Sequence, residues 1–252
     1  MTSSPITLIT GGSRGLGAAM ALALARDGHD VLLPYREAAS AADAVVAQIQ
    51  ALGRRALALP LDVADSSRFP AFVERVKQAL ATWGASHLDG LVNNAGTGVH
   101  ASVAETTPAQ FDALVEVHLK GPFFLTQGLL PLLADGARIV NISSGLTRFT
   151  VPGYGAYAAM KGAMEVLTRY QAKELATRGI RVNTLAPGAI ATDFGGGAVR
   201  DNPELNRFVT SVTALGRVGA ADDIGGAAAA LLRPGAGWIT GQRVEASGGM
   251  FL

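Results

Sequence analysis

Short, continuously apolar runs alternate with longer amphipathic or Ala-rich segments along the 252-residue chain. Continuous apolar runs are typical of strands in a parallel sheet that is covered on both faces, whereas half-exposed strands show alternation. The regular exchange of strand and helix patterns therefore predicts an α/β fold with helices on both sides of the sheet. The seven predicted strands cover residues 6–10, 30–33, 56–61, 88–92, 138–143, 181–185 and 242–245.

The segments between these runs predict the helices and the domain organisation. We find no internal repeat, low-complexity linker or break in composition, so one domain over residues 1–252 is the economical interpretation. Three consecutive glycines open the segment 195–206, which is predicted to be a mobile loop with a short helix. Helices are predicted over 18–26, 39–52, 67–83, 108–133, 157–178 and 221–232.

Composition narrows the possible functions. Nearly half of the residues are apolar and 16% are charged, so the chain is able to bury a large core. A net charge of +1 gives no electrostatic reason to expect nucleic acid or a membrane as partner. The absence of cysteine excludes disulfides, thiolate metal sites and a catalytic thiol, and no metal site is predicted. Residues 1–5 lack the basic start of a secretory signal and no apolar stretch approaches membrane-spanning length, so we expect a soluble, cytoplasmic protein.

A glycine-rich loop follows the first strand directly and precedes a helix. Its pattern is Thr10-Gly11-x-x-x-Gly15-x-Gly17. Glycines allow a tight turn and a close approach to a pyrophosphate, whose charge then meets the helix N-terminus. The spacing differs from the common G-x-G-x-x-G, and a turn without a ligand is the other interpretation. Its position between strand and helix favours dinucleotide binding.

The end of the second strand indicates which dinucleotide is bound. NAD-binding versions usually place an acid there to bond the ribose 2′-hydroxyl. Here the strand ends Leu33-Pro34-Tyr35-Arg36, and no acid comes before Glu37. Arg14 and Arg36 are suited to a 2′-phosphate, although both also fit ordinary surface charges. The sequence therefore favours NADP(H).

Three further residues predict acid–base chemistry at the same edge of the sheet. Tyr157 and Lys161 are four residues apart, on one face of a predicted helix. Such a pair is a weak signal alone, because amphipathic helices produce it by chance. Ser144, however, follows the end of a strand, as the glycine loop and Asn93-Asn94-Ala95-Gly96 do. Ligands of open parallel sheets bind at this edge, so the three features are expected to converge.

Together these motifs resemble the short-chain dehydrogenase/reductase family over the whole chain, close to its 3-oxoacyl-carrier-protein reductase branch. The resemblance implies a Rossmann-type, doubly wound, seven-stranded parallel sheet in a three-layer α/β/α arrangement. The chain would then be an NADP(H)-dependent enzyme that reduces a carbonyl to an alcohol. The motifs that carry the resemblance are Thr10 to Gly17, Asp62-Val63, Asn93 to Gly96, Ser144, Tyr157, Lys161, Arg181-Val182-Asn183, Pro187-Gly188, Thr192, Gly241 and Gly248-Gly249.

The resemblance also implies roles for individual residues. Tyr157 would be the general acid–base, Ser144 would polarise the carbonyl, and Lys161 would bind the nicotinamide ribose and lower the pKa of the tyrosine. The residues expected to bind the cofactor are Gly11, Ser13, Arg14, Gly15, Leu16, Gly17, Tyr35, Arg36, Asp62, Val63, Asn93, Ala95, Gly96, Tyr157, Lys161, Pro187, Gly188, Ile190 and Thr192.

One position departs from the family pattern. His118 stands where the family has a catalytic asparagine on the long helix before the Ser144 strand. Three interpretations follow. The proton relay survives through the main-chain carbonyl at this position, the imidazole ring joins the relay itself, or activity is impaired.

Substrate and assembly rest on the resemblance. A 3-oxoacyl thioester delivered by an acyl carrier protein is the first expectation, with Arg148 or Arg207 as candidate carrier contacts. A small ketone, a polyketide intermediate or a sugar-like ketone is the other possibility. Segments 146–154 and 191–210 are predicted to form an apolar substrate wall. A homotetramer or dimer is expected. The alternative functions are an NAD(P)-dependent alcohol dehydrogenase and a catalytically impaired, cofactor-binding regulatory protein.

Overall fold

The computed structural model describes residues 4–252 and contains one sheet of seven parallel strands. The strand order is β3-β2-β1-β4-β5-β6-β7, so the chain leaves β1 in one direction and returns to its other side at β4. This order confirms the predicted doubly wound parallel sheet. The strands are β1 Ile6–Ile9, β2 Asp30–Tyr35, β3 Ala56–Pro60, β4 Leu88–Asn93, β5 Leu133–Ile142, β6 Arg181–Pro187 and β7 Arg243–Ala246.

Nine α-helices among the described residues cover the two faces of this sheet. Predicted and observed bounds agree within a few residues for most of them, and segment 195–206 holds two short helices rather than one. The helices are α1 Gly15–Arg26, α2 Ala39–Ala51, α3 Phe69–Thr82, α4 Pro108–Val115, α5 Gly121–Leu129, α6 Gly155–Glu174, α7 Ala198–Asp201, α8 Pro203–Ser211 and α9 Ala221–Leu232.

Two apolar cores, one on each face, hold the three layers together. On one face, Phe72 and Val76 of α3 and Leu125 of α5 pack under the sheet. On the other face, residues of α1, α2 and α9 form a second core, with Met20 and Ile224 fully buried. Burial of continuous strand residues from both sides explains why the strands read as unbroken apolar runs.

The predicted helix 108–133 is observed as an unbroken helical stretch over residues 108–132 whose hydrogen-bond pattern changes along its length. A π-helical turn, Glu116–Lys120, separates α4 from α5, and a 3₁₀ turn follows α5. Pro122 lies in the first turn of α5, directly after the π-helical turn, and has no N–H to donate to a carbonyl of that turn. Leu133, predicted to end the helix, instead begins β5.

The N-terminal stretch without a secretory signal falls partly on residues 1–3, which are outside the described residues. Within residues 4–252, no helix has the length and apolar character needed to cross a bilayer. The single domain over 1–252 and the homo-oligomer stay predictions.

Candidate active site

A cleft of about 510 Å³ opens at the carboxyl ends of β1, β2, β4, β5 and β6. Its floor is the point where the strand order reverses between β1 and β4. We call the part around the glycine loop and the end of β2 the cofactor end. The part around Ser144 and Tyr157, lined by segments 146–154 and 192–209, is the substrate end. All the predicted site residues except Asn93 line this cleft.

The glycine loop at the cofactor end leaves no room for side chains. Gly11 and Gly15 adopt positive φ angles of 65° and 54°, a region that L side chains rarely enter. A Cβ atom on Gly17 would lie 2.1 Å from the Gly11 carbonyl oxygen. Arg14 precedes α1 in extended conformation and supplies no side-chain cap, so the first N–H groups of α1 remain available to a phosphate. The loop therefore fits the pyrophosphate that the sequence predicts.

The side chains of Thr10 and Asn94 hold this loop against β4, a role that was not predicted from the sequence. The Asn94 amide donates to the carbonyl oxygens of Thr10 (2.8 Å) and Gly11 (3.3 Å). The Thr10 hydroxyl in turn accepts from the main-chain N–H groups of Asn94 and Ala95 at 2.9 and 3.0 Å. These reciprocal bonds fix the loop and the end of β4 relative to each other.

Asn93 was predicted to bind the cofactor, and the structure corrects this prediction. Its amide nitrogen donates to the Thr126 hydroxyl (3.0 Å) and to the Asn141 side-chain oxygen (2.8 Å), inside the sheet-helix core. Successive residues of a strand point to opposite faces, and Asn93 is the last residue of β4. Its side chain therefore supports the centre of the fold, whereas Asn94 turns toward the cleft.

The residues expected to discriminate between NADP(H) and NAD(H) lie at the outer wall of the cofactor end. Tyr35 and Arg36 at the end of β2 line the cleft together with Arg14. The Arg36 guanidinium lies 3.0 Å from the Glu37 carboxylate, and both side chains are mostly exposed. An exposed ion pair of this kind is weak, so the guanidinium is free to meet a phosphate. The wall fits the extra phosphate of NADP(H).

Ser144 and Tyr157 place two hydroxyl groups together at the substrate end. The Ser144 hydroxyl accepts the Leu146 N–H at 3.2 Å, which leaves its own proton to be donated. Burial raises the pKa of Tyr157, and the hydrogen bond with Ser144 offsets only part of that rise. The phenol is therefore protonated at neutral pH in this structure. Two hydroxyl donors converge where a carbonyl oxygen would accept both.

Lys161 lies one helical turn beyond Tyr157, as predicted. Its Nζ donates to the Ile142 carbonyl oxygen at 2.8 Å and lies 5.6 Å from the centroid of the Tyr157 ring. Burial lowers the pKa of Lys161 to about 7. Burial of the phenol raises the pKa of Tyr157, and the lowering of that pKa by Lys161 stays a prediction.

His118 is buried in the π-helical turn and faces the same hydroxyl pair. Its Nε2 lies 2.7 Å from the Thr97 carbonyl oxygen, and its ring meets the Tyr157 ring edge-on, with centroids 5.3 Å apart. Its Nδ1 is buried with no hydrogen-bond partner among residues 4–252. Burial, and then the nearby charge of Lys161, lower the pKa of His118 to about 3. The imidazole is therefore neutral. Its Nε2 lies 2.7 Å from the Thr97 carbonyl oxygen and 3.3 Å from the Thr97 main-chain nitrogen, and the shorter contact favours the tautomer with the proton on Nε2.

The ring of His118 also explains why residue 96 is a glycine. A Cβ on Gly96 would lie 2.8 Å from the His118 Cε1 atom, so the ring fills the space that a side chain would need. The ring meets that of Tyr157 edge-on, and the three interpretations of the proton relay stay predictions.

A network behind Ser144 was missed in the sequence. The Glu165 Oε1 atom accepts from the Ser143 hydroxyl, the Thr147 hydroxyl and the Arg243 Nε, at 2.7, 2.7 and 2.8 Å. Arg243 also donates to the Ser144 carbonyl oxygen at 3.3 Å. Glu165 follows Lys161 by four residues on α6, a spacing that indicates a shared helix face. Its partner lies on β7, 78 residues away, and no local pattern points to it.

Apolar side chains form the rest of the substrate end, as the sequence predicts for segments 146–154 and 191–210. Arg148, one of the two candidate carrier contacts, is instead paired with Glu245 at 2.6 Å and donates to the Met250 carbonyl oxygen. Arg207 does not line this cleft. Among residues 4–252 no group of His, Asp and Glu is arranged to hold a metal ion.

Known proteins are similar to this chain over nearly its whole length. The family model described as Enoyl-(Acyl carrier protein) reductase matches residues 11–251. A 3-oxoacyl-[acyl-carrier-protein] reductase, FabG of Staphylococcus aureus, is 36% identical over 254 residues, which cover 100% of this chain and 99% of that protein.

Solved structures are similar over the same length. The reductase LugOII, described as promiscuous and as catalysing keto-reduction at C1 during lugdunomycin biosynthesis, is 41% identical with a TM-score of 0.93. The match covers 98% of each chain. The angucycline C-6 ketoreductase LanV, solved with bound NADP, is 35% identical with a TM-score of 0.93. It covers 98% of this chain and 95% of its own.

Proposed function

The chain belongs to the short-chain dehydrogenase/reductase family, and from this premise we propose that it is an NADP(H)-dependent reductase of a ketone. The observation that supports this proposal best is the convergence of the Ser144 and Tyr157 hydroxyls beside the glycine loop. A carbonyl oxygen accepts two hydrogen bonds, and negative charge develops on it when hydride adds to its carbon. The paired donors therefore fit the reduction of a carbonyl.

The chain's own residues supply orientation and a proton. NADPH, when bound, supplies the hydride that adds to the carbonyl carbon. The hydroxyls of Ser144 and Tyr157 hold the carbonyl oxygen, and charge develops on this oxygen as the hydride arrives. Tyr157 then donates its phenolic proton to the oxygen to complete the alcohol. The raised pKa keeps this proton in place until negative charge appears nearby.

Lys161 and the outer wall have separate roles in this proposal. The Lys161 ammonium lies beside the tyrosine and is expected to hold the ribose next to the nicotinamide. Arg14 and Arg36 are expected to bind the 2′-phosphate, which distinguishes NADPH from NADH. A 3-oxoacyl thioester and other ketones present the same carbonyl to Ser144 and Tyr157.

The test combines binding with turnover. We expect the purified protein to bind NADPH more tightly than NADH in a fluorescence titration and to oxidise NADPH in the presence of a ketone. Tyr157→Phe removes the proton but keeps the ring, so kcat should fall by about 1,000-fold. The Kd of NADPH should change by less than about 3-fold. Undiminished turnover by this variant would refute the proposal.

A further inference from the structure

Aromatic side chains are concentrated at the substrate end. The chain has fifteen Phe, Tyr and Trp residues, and five of them line this part of the cleft. Aliphatic side chains such as Leu146, Leu205 and Val209 line the same part, so the rings add an aromatic surface to a wall that is apolar throughout. The five residues are Phe149, Tyr154, Tyr157, Phe194 and Phe208.

Glycines fix the orientation of two of these rings. The Phe194 ring lies against Gly98 beyond β4, where a Cβ would come within 2.9 Å of its Cζ atom. The Phe149 ring lies against Gly145 beyond β5, where a Cβ would come within 2.7 Å of its Cε1 atom. Both rings therefore pack directly on main chain and border the hydroxyl pair from the β4 side and the β5 side.

The rings contact further rings, which extends the aromatic surface. Phe194 lies 5.8 Å from the Tyr157 ring, measured between centroids. Phe251 lies 4.9 Å from Phe149 and 6.3 Å from Phe208. These spacings fall in the range in which aromatic rings attract each other beyond simple burial. A planar ligand would continue the same contacts.

Two of the rings are exposed although they lie inside the cleft. Phe194 is 45% exposed and Phe208 is 48% exposed. Apolar surface of this kind gains free energy when a ligand removes it from water. This apolar surface lies beside Tyr157. A ligand that covers it would therefore be one whose carbonyl reaches the hydroxyls of Ser144 and Tyr157.

The lining of the substrate end carries little charge. Apart from Lys161 beside Tyr157, the described lining includes no Lys or Arg, and its carboxylate Asp193 is paired with Arg200. An uncharged group matches such a lining. Arg207 is exposed outside the cleft, so this argument concerns only the part of the ligand that enters it.

We propose that the substrate is a neutral ketone on a flat, fused-ring aromatic skeleton. This inference rests on the proposed function, because it assigns the carbonyl to Ser144 and Tyr157. A rigid ring system stacks on Phe194 and Phe149 without losing internal rotations, whereas a linear acyl chain loses them on binding. The aromatic wall therefore selects for flatness as well as for apolar character.

A pair of ligands that share a fused-ring skeleton, one aromatic and flat and the other saturated and puckered, tests the proposal without turnover. 2-Naphthol and decahydro-2-naphthol share a fused two-ring skeleton and one hydroxyl. We expect calorimetry of the protein, with and without NADPH, to show about 10-fold tighter binding of 2-naphthol. In Phe194→Leu, which keeps an apolar side chain but removes the ring, this ratio should fall to about 3-fold or less. Equal binding of the two ligands by the wild type would overturn the proposal.

Turnover separates this proposal from the proposed function. We expect kcat/KM for 2-tetralone to exceed that for the N-acetylcysteamine thioester of acetoacetate by at least about 10-fold. A preference for the thioester would overturn the aromatic substrate and leave the reductase intact. Tight, flatness-selective naphthol binding without reduction of either ketone would overturn the proposed function and support the aromatic site.

Discussion

The two ends of the cleft are built from different parts of the chain. At the cofactor end, the glycine loop presents main chain to the cleft, and Gly11, Gly17 and the Thr10–Asn94 hydrogen bonds set its shape. At the substrate end, the surface is side chain, supplied by two segments that follow β5 and β6. Main chain in close contact has no freedom to adjust, whereas side chains change rotamer. A substitution that adds or removes the same number of atoms should therefore weaken ligand binding far more at the cofactor end than at the substrate end.

The largest expected effect is a single methyl group at the cofactor end. In Gly17→Ala the new Cβ would lie 2.1 Å from the Gly11 carbonyl oxygen, so either the loop or α1 must move. We expect NADPH binding to weaken by at least about 100-fold, because the phosphate cradle loses its shape. A fluorescence titration measures this change.

Gly226→Ala is the matched control for this variant. Gly226 lies inside α9, and nothing lies within 4 Å of where its Cβ would be. Alanine there should stabilise the fold by about 0.5–1 kcal/mol and leave NADPH binding unchanged. If both variants bound NADPH equally well, the rigidity that we assign to the cofactor end would be wrong.

The second effect concerns the pH dependence of His118. Its pKa is about 3 in the folded protein and about 6.5 when unfolded, so the unfolded chain binds more protons between these values. The contribution of the neutral imidazole to the free energy of unfolding is therefore fully present above pH 6.5 and is lost as the pH falls toward 3. Between pH 7 and 4.5 the wild type should lose about 2–3 kcal/mol more unfolding free energy than His118→Asn.

Urea unfolding of both proteins at the two pH values measures this difference. His29 and the carboxylates are common to both chains, so their contributions cancel in the comparison. Parallel losses in the two proteins would show that the imidazole is not held neutral as described.

The cofactor end could be predicted from sequence better than the substrate end, for a physical reason. The main-chain conformation of the loop itself requires glycine, so the positions of Gly11, Gly15 and Gly17 predict the loop without knowledge of tertiary contacts. The motif Asn93-Asn94 does not say which amide faces the cleft, because that depends on where β4 ends. The predicted roles of the catalytic residues stay predictions, but their convergence at one sheet edge followed from the strand ends alone.

Other features required the packed structure. The π-helical turn around His118 arises within a continuous helical pattern, and periodicity over residues 108–133 gives no sign of it. The pairing of Arg148 with Glu245 joins residues 97 apart in sequence, so a surface arginine looked free for a carrier. Burial of the Tyr157 phenol likewise depends on elements from distant parts of the chain.

A third, smaller effect tests the choice of dinucleotide at the outer wall. Arg36→Ala should weaken NADPH binding by about 5- to 10-fold and leave NADH binding unchanged, since only NADPH carries the 2′-phosphate. The difference should shrink at high salt, because the guanidinium is exposed. Arg75→Ala on α3, also exposed, is the control. Equal weakening of both dinucleotides would assign Arg36 to the shape of the loop instead.

The smallest effect lies in the side-chain network behind Ser144. Glu165→Gln keeps the Oε1 acceptor for Ser143 and Thr147 but removes the negative charge opposite Arg243. Because both charged side chains are only partly buried, we expect a loss of about 1 kcal/mol in unfolding free energy, or 2 to 4 °C in Tm. kcat should change by less than about 3-fold, since the hydrogen bonds that orient the Ser144 strand end persist. A 100-fold loss of kcat with an unchanged Tm would show instead that the Glu165 charge itself acts on the reacting groups, and that the substrate end is as intolerant of change as the glycine loop.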